Sequence, residues 1–313
     1  MHARCWILMV LVFGVLACRG ELDDCLRPRD LARLPGGTLL VGYPLYEVWL
    51  TTPTGNLKLQ PAEGEVVSGD LYAMFPSITR DGRMVAAGRL KAANSRRIAI
   101  ATYSVREKKW REYAEGDFKY AVAISPDGTK LAYVEEIKKA IGRFADRVRI
   151  IDLRTREQSI GPEIQPGYTT YTFDPDLSWS QGKRLAYGGH PIEVWDVDTN
   201  THWKIADGEK PAWSPDGEWI AYLHSGKDER HSTVGMVHPD GSGNRILITL
   251  PRNNTFVERP VWSPDSETLL LNRLRDGEKW TMDIQLLDLT TLKLKTKFKD
   301  VAPVYGWAAA ANH

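Results

Sequence analysis

From about residue 38 to residue 308 the apolar positions fall in short runs, each alternating with polar positions and closed by a turn-forming cluster. Alternation of this kind marks half-buried strands. One unit recurs: a short apolar strand ending in Trp or Ile, a Ser-Pro-Asp-Gly type of turn, and a second apolar strand. Its copies are Pro76–Ala86, Val122–Tyr133, Leu177–Tyr187, Pro211–Tyr222 and Pro260–Leu271. In the turn, Pro presets φ, Asp can bond its own backbone, and Gly accepts a positive φ without a Cβ clash. Each copy therefore predicts a hairpin of defined register.

A further alternating strand follows each hairpin and ends in a polar turn, as in Arg149–Thr155, Glu193–Thr199 and Gln285–Thr291. Ile98 to Val105 and Thr233 to Gly241 hold the same place in their repeats. A fourth strand carries Lys109-Trp-Arg, His202-Trp-Lys or Arg245-Ile-Leu. Four antiparallel strands per repeat make one blade of a β-propeller. The strand-ending residues Ile78, Ile124, Trp179, Trp213 and Trp262 are 46, 55, 34 and 49 residues apart, close to blade length. The widest gap places a loop insertion at Glu135 to Asp146.

The ends complete the ring. Leu39 to Val41 and Tyr46 to Leu50 look like later strands of a blade that lacks its first strand. Val304 to Ala308 looks like a first strand with no blade after it, and Trp307 lies 45 residues beyond Trp262. The expected fold is all-β: a six-bladed β-propeller of four-stranded antiparallel blades over residues 38–310. Pairing of the N- and C-terminal strands closes it and removes the exposed edges.

Composition adds little against this. The chain has 313 residues, with 41 Lys and Arg against 40 Asp and Glu, so its net charge of +1 offers no general field for nucleic acid. Its 3 cysteines, Cys5, Cys18 and Cys25, all lie near the N-terminus, so the body folds without disulfides. The N-terminus reads as an address. After His2 and Arg4 an uncharged run of 13 residues ends at Ala17, too short to span a hydrocarbon core and suited to a secretory signal. Residues 1–17 are thus expected to be a signal peptide and 18–37 a tether, with one helical turn at Asp30 to Leu34. Val15-Leu16-Ala17-Cys18 resembles a bacterial lipobox, and that resemblance implies lipidation of Cys18 and a membrane anchor in the cell envelope. Ordinary cleavage after Ala17, giving a secreted soluble protein, is the alternative.

The Ser-Pro-Asp-Gly hairpin followed by Leu-Ala-Tyr resembles the WD-like repeats of the TolB-type propellers, over about Leu39 to Ala308. That resemblance implies an envelope protein that contacts another protein. No counterpart of the α/β domain that precedes the TolB propeller is expected in the short tether. Similar repeats form the propellers of prolyl-oligopeptidase and dipeptidyl-peptidase enzymes, where a hydrolase domain follows. Only six residues follow Trp307 here, so no such domain is expected.

Motifs of catalysis are sparse. No Gly-x-Ser-x-Gly elbow occurs, and Asp240-Gly-Ser-Gly-Asn244 reads as a turn. His190, His202, His224, His231 and His238 show neither an i, i+4 pair nor paired cysteines. Asp81, Asp127, Asp216 and Asp265, with Asp152, Asp196 and Asp288, repeat with the blades and read as turn residues. The Trp series reads as inter-blade packing rather than a ligand cage. No cofactor and no metal is expected, and the chain is expected not to be an enzyme. The alternative is a channel-centred enzyme, either a metal-dependent hydrolase or lactonase or a sugar dehydrogenase.

Residues that the repeat does not explain are the better candidates. Those just before each innermost strand should ring one mouth of the channel: Phe75, Tyr120, Asp176, Glu209, Lys210, Glu258 and Arg259. A rim mixing aromatics with both charges suits a protein or peptide partner. A monomer binding such a partner through one face is the expected function.

Overall fold

The computed structural model describes residues 34, 37–42, 48–52, 54–59, 73–90, 97–117, 119–138, 144–164, 176–181, 183–225, 231–250, 255–256, 258–274 and 282–309. The expected signal peptide, Cys18, Cys25 and most of the expected tether lie outside these residues. The described residues form six antiparallel sheets, as the repeat predicts.

Blade 1 takes β1 (Thr38–Gly42), β2 (Val48–Thr52) and β3 (Gly55–Lys58) from the N-terminal side. Blade 2 is β4 (Ala73–Ile78), β5 (Met84–Leu90), β6 (Arg97–Ser104) and β7 (Lys109–Asp117). Blade 3 is β8 (Lys119–Ile124), β9 (Lys130–Lys138), β10 (Phe144–Asp152) and β11 (Gln158–Ile164). Blade 4 is β12 (Leu177–Trp179), β13 (Arg184–Gly188), β14 (Ile192–Asp196) and β15 (Thr201–Ala206). Blade 5 is β16 (Glu209–Trp213), β17 (Ile220–Ser225), β18 (His231–Val237) and β19 (Arg245–Thr249). Blade 6 splits its innermost strand into β20 (Thr255–Phe256) and β21 (Val261–Trp262), both paired with β22 (Thr268–Leu274), then β23 (Met282–Asp288) and β24 (Leu294–Val301). The last strand, β25 (Val304–Ala308), pairs with β1 and supplies the inner strand that blade 1 lacks.

The turns explain the register. In blade 3 the Ser125 hydroxyl donates to Asp127 at 2.6 Å, the Gly128 amide donates to the Ser125 carbonyl at 2.9 Å, and Gly128 has φ +71°. Ser214 and Asp216, and Thr79 and Asp81, repeat the arrangement at 2.5 and 2.7 Å. Asp152, Asp196 and Asp288 accept from backbone amides two or three residues ahead, so they too hold turns. Between blades the innermost strands are stitched together. The Ser77 hydroxyl accepts the Ile124 amide and the Ser178 hydroxyl accepts the Trp213 amide. The Trp179 and Trp262 indoles donate to the carbonyls of Ala123 and Ala212 in the preceding blades, at 3.0 and 2.8 Å. These tryptophans pack blades together, as their spacing suggests.

One expectation needs correction. The segment Glu135 to Asp146 is not a plain loop insertion: β9 and β10 run on as an extended hairpin in continuous register from Lys130↔Asp152 to Lys138↔Phe144. Leu34, placed by sequence in the tether, is buried against Leu39, Val304 and Trp307.

A shared irregularity positions the channel mouth. Five innermost strands break register at the same height: near Tyr305, between Met74 and Ser77, at Ala121, between Glu209 and Ala212, and between Phe256 and Val261. Ala121 and Lys210 have φ of 51° and 56° there. An extra residue in one strand of a pair is a β-bulge, which bends the strand and re-aims its side chain. Pro76, Pro211 and Pro260 occupy these breaks, where a ladder amide is not needed.

Candidate binding site at the channel mouth

All innermost strands run toward the Ser-Pro-Asp-Gly turns, so the residues before them gather at the opposite, loop-side mouth. Residues from five blades meet there around a niche of about 10 Å³: Pro76, Ala121, Val122, Asp176, Leu177, Glu258, Arg259 and Tyr305. Lys210 joins them, its Nζ 3.5 Å from Asp176 Oδ2. Asp176 and Lys210 are only 9% and 7% exposed. Asp176 Oδ2 is fully buried and accepts no hydrogen bond. Arg259 donates to the carbonyls of Leu177 at 2.8 Å and Tyr305 at 3.4 Å, spanning three blades and fixing its guanidinium in the mouth.

Burial pushes the Glu258 carboxyl up to about 7, and the charge of Asp176 adds to the rise. Lys210 and Arg259 pull the other way without cancelling the burial. Below the mouth the channel widens into a space of about 150 Å³, walled by Ser77, Ala123, Ser178, Ala212 and Gly306. At its turn-side end Arg80 of blade 2 reaches Pro215 of the opposite blade at 3.3 Å, and Gln181 donates to the same carbonyl.

The rim predicted from sequence is thus only partly one site. Asp176, Lys210, Glu258 and Arg259 come together. Phe75 and Tyr120 lie on β4 and β8, but their side chains fall outside what the structure describes. Glu209 faces the loop of blade 4 instead, with Oε1 3.4 Å from His190 Nε2.

That contact belongs to a bridge that the sequence does not reveal. His190 Nδ1 meets Asp207 Oδ1 at 2.9 Å, and His224 Nδ1 meets the Asp207 carbonyl at 3.0 Å. Burial alone would lower the His190 pKa, but Asp207 and Glu209 outweigh it and hold it above the ordinary value. His202 sits instead on Glu193, which also accepts from the buried Tyr187 hydroxyl, and His238 stacks on Trp219 at 3.6 Å. Among the described residues no three His, Cys, Asp or Glu side chains form a metal-binding group. Only the regular placement of one residue before each inner strand points to the mouth; nothing in the sequence pairs His190 with residues 17 and 19 positions ahead.

No family model matches the chain. A curated relative, the uncharacterized peptidase YuxL of Bacillus subtilis (strain 168), is 29% identical over 121 residues, which cover 34% of this chain and 18% of that protein. Among solved structures, TolB from Acinetobacter baumannii shares the fold with a TM-score of 0.64 at 15% identity, covering 87% of this chain and 66% of that one. A puromycin-hydrolyzing peptidase of Mycobacterium tuberculosis aligns with a TM-score of 0.56 at 16% identity, covering 86% of this chain and 44% of that one. The chain therefore spans less than two thirds of each of these proteins. The expectation that it is not an enzyme is overturned: the curated relative is a peptidase, and a peptidase shares its fold. What the comparisons establish for this chain is a TolB-like β-propeller fold.

Proposed function

We propose that this chain is an exported, envelope-localised binding propeller that takes a segment of a protein or peptide at the loop-side mouth of its channel. One observation carries the reading: four charged side chains from three separate blades converge at that mouth. Two of them are buried, and one has an acceptor atom without a hydrogen bond. Leaving a buried acceptor unmade is costly, and repeat geometry does not require it. Such atoms are expected where a ligand completes the bonding. The mixed charge suits a polypeptide, which brings both donors and acceptors, better than a nucleic acid or lipid head group.

The test is capture from bacterial membranes with a photo-crosslinker at position 121 in the mouth, and with the same crosslinker at Gly55 on an outer strand as control. A partner crosslinked at 121 and absent at 55 supports the reading. Equal capture at both positions, or at neither, removes it. Mass spectrometry of the N-terminus decides the anchor, because an unmodified Cys18 would leave the protein simply exported.

A second reading rests on the sequence match to a peptidase. There the mouth would select a peptide substrate rather than a standing partner. Hydrolysis of puromycin and of amino-acyl p-nitroanilides by the purified protein separates the two: turnover that tracks the protein through purification favours this second reading.

A further inference from the structure

We infer that the niche between Asp176 and Glu258 receives a primary ammonium group, either a lysine side chain or a chain N-terminus of the bound segment. This rests on the reading of the mouth as a polypeptide site, and deepens it by naming the group recognised.

Asp176 Oδ2 is buried without a hydrogen bond, so a donor is missing. Lys210, 3.5 Å away, faces that oxygen at ion-pair range but makes no hydrogen bond to it. The Arg259 guanidinium is already directed at two backbone carbonyls. The remaining walls, Pro76, Ala121, Val122 and Leu177, carry no charge. Lys210 and Arg259 set two positive charges against the two acidic groups, so it is the open acceptor of Asp176, and not net charge, that calls for a donor in the space of about 10 Å³. That space suits one water-sized head group, which is the size of an ammonium. An ammonium has three donors and no acceptor, so it can bond Asp176 and Glu258 together.

Proton linkage points the same way. The titratable and charged groups around Glu258 are Asp176, Lys210, Arg259 and Tyr305, from four different blades. The Glu258 carboxyl, held up to about 7 by burial, is stabilised as the ion when a cation arrives. Binding therefore releases a proton near neutrality and tightens as the pH rises through about 7.

The probe is butylammonium chloride, with butylguanidinium and 1-butanol as controls, followed through the carboxyl carbon shifts of Glu258 and Asp176 in labelled protein. The expected result is saturable movement of both signals with butylammonium alone, and a lowered Glu258 titration midpoint. Asp176→Asn and Glu258→Gln should each weaken it by about tenfold or more, the loss of one charge-assisted hydrogen bond. Both substitutions are isosteric, and thermal unfolding verifies that each variant folds; either one suffices. No saturable movement, or an unchanged response in a folded variant, overturns the inference.

A random peptide pool separates this from the parent reading. Peptides captured equally well before and after amine acetylation sink the ammonium niche and leave polypeptide binding standing. Butylammonium binding with no captured peptide does the reverse. Acetylating only the N-termini, or only the lysines, shows which amine is used.

Discussion

A carboxyl in a turn and a carboxyl in the channel mouth answer to opposite forces. For Asp127 and Asp216, burial raises the pKa, but bonds from Ser125 and Thr129, or from Ser214 and Glu218, outweigh it and hold each below its ordinary value. Their contribution to stability is present above the unfolded pKa of about 4 and is lost only in stronger acid. Ser125 is fully buried, and its hydroxyl also accepts the Lys130 amide at 2.9 Å. Ser125→Ala should cost about 1–3 kcal/mol in urea unfolding, because a buried amide then lacks its partner. A change below about 0.5 kcal/mol would mean the turn is held by its backbone alone. Glu258 has the reverse sign. Its folded pKa of about 7 exceeds the ordinary 4.5, so the fold is favoured below 4.5 and progressively disfavoured as pH climbs through 7. Urea titrations from pH 4 to 8 should show that decline, and Glu258→Gln should flatten it. His190, also raised, adds a decline that begins near pH 6.5, so the Gln variant keeps a residual slope in the upper range. A slope unchanged by the substitution would place its origin elsewhere.

At the scale of one blade, close approach decides more than propensity. Gly235 on β18 lies opposite Tyr222, and a Cβ there would stand 2.4 Å from the ring. The ring cannot swing aside freely, because its hydroxyl is bonded to Asn244 at 2.5 Å. Gly235→Ala should therefore destabilise by about 1–3 kcal/mol, read as a lower midpoint of thermal unfolding. Gly55→Ala on β3 is the control, since nothing lies within 4 Å of its added carbon. Equal effects of the two changes would show that backbone freedom, and not the ring, matters. The blade itself was legible because burial imposes a period of two and the turn imposes a residue set. The β9–β10 extension was not legible because burial does not make it: its described side chains are half-buried, Arg149 with Glu135 ties its two strands, and Arg147 with Glu163 joins it to β11. The bulge left a trace, Pro76, Pro211 and Pro260, two residues before the strand ends. Which way a bulged side chain then points is a tertiary matter. Hence the same counting rule located Asp176, Lys210, Glu258 and Arg259 together, yet also included Glu209, which turns to His190.

The whole ring depends on a strand from each end of the chain, and the structure shows what holds that closure. β25 pairs with β1 through Leu39↔Trp307, Leu40↔Gly306 and Val41↔Val304. On its other side it meets blade 6, where Asn272 of β22 is fully buried. The Asn272 amide donates to the Val304 carbonyl at 2.8 Å, and its oxygen accepts the Val304 amide at 2.8 Å. One side chain thus imitates a pair of ladder bonds across the seam between the last blade and the first. Asn272→Ala would strand two buried backbone groups, each worth about 1–3 kcal/mol when unmet. The summed cost, about 2–6 kcal/mol, is a large share of the 5–15 kcal/mol typical of a domain. The loss should be local before it is global. Amides of β1 and β25 should exchange faster than those of blades 3 to 5 at low denaturant, since only their pairing loses the tie. Uniform acceleration across all blades would mean that the ring opens as one unit, and an unchanged exchange pattern would mean that the apolar contacts of Leu39, Val304 and Trp307 close the propeller without Asn272.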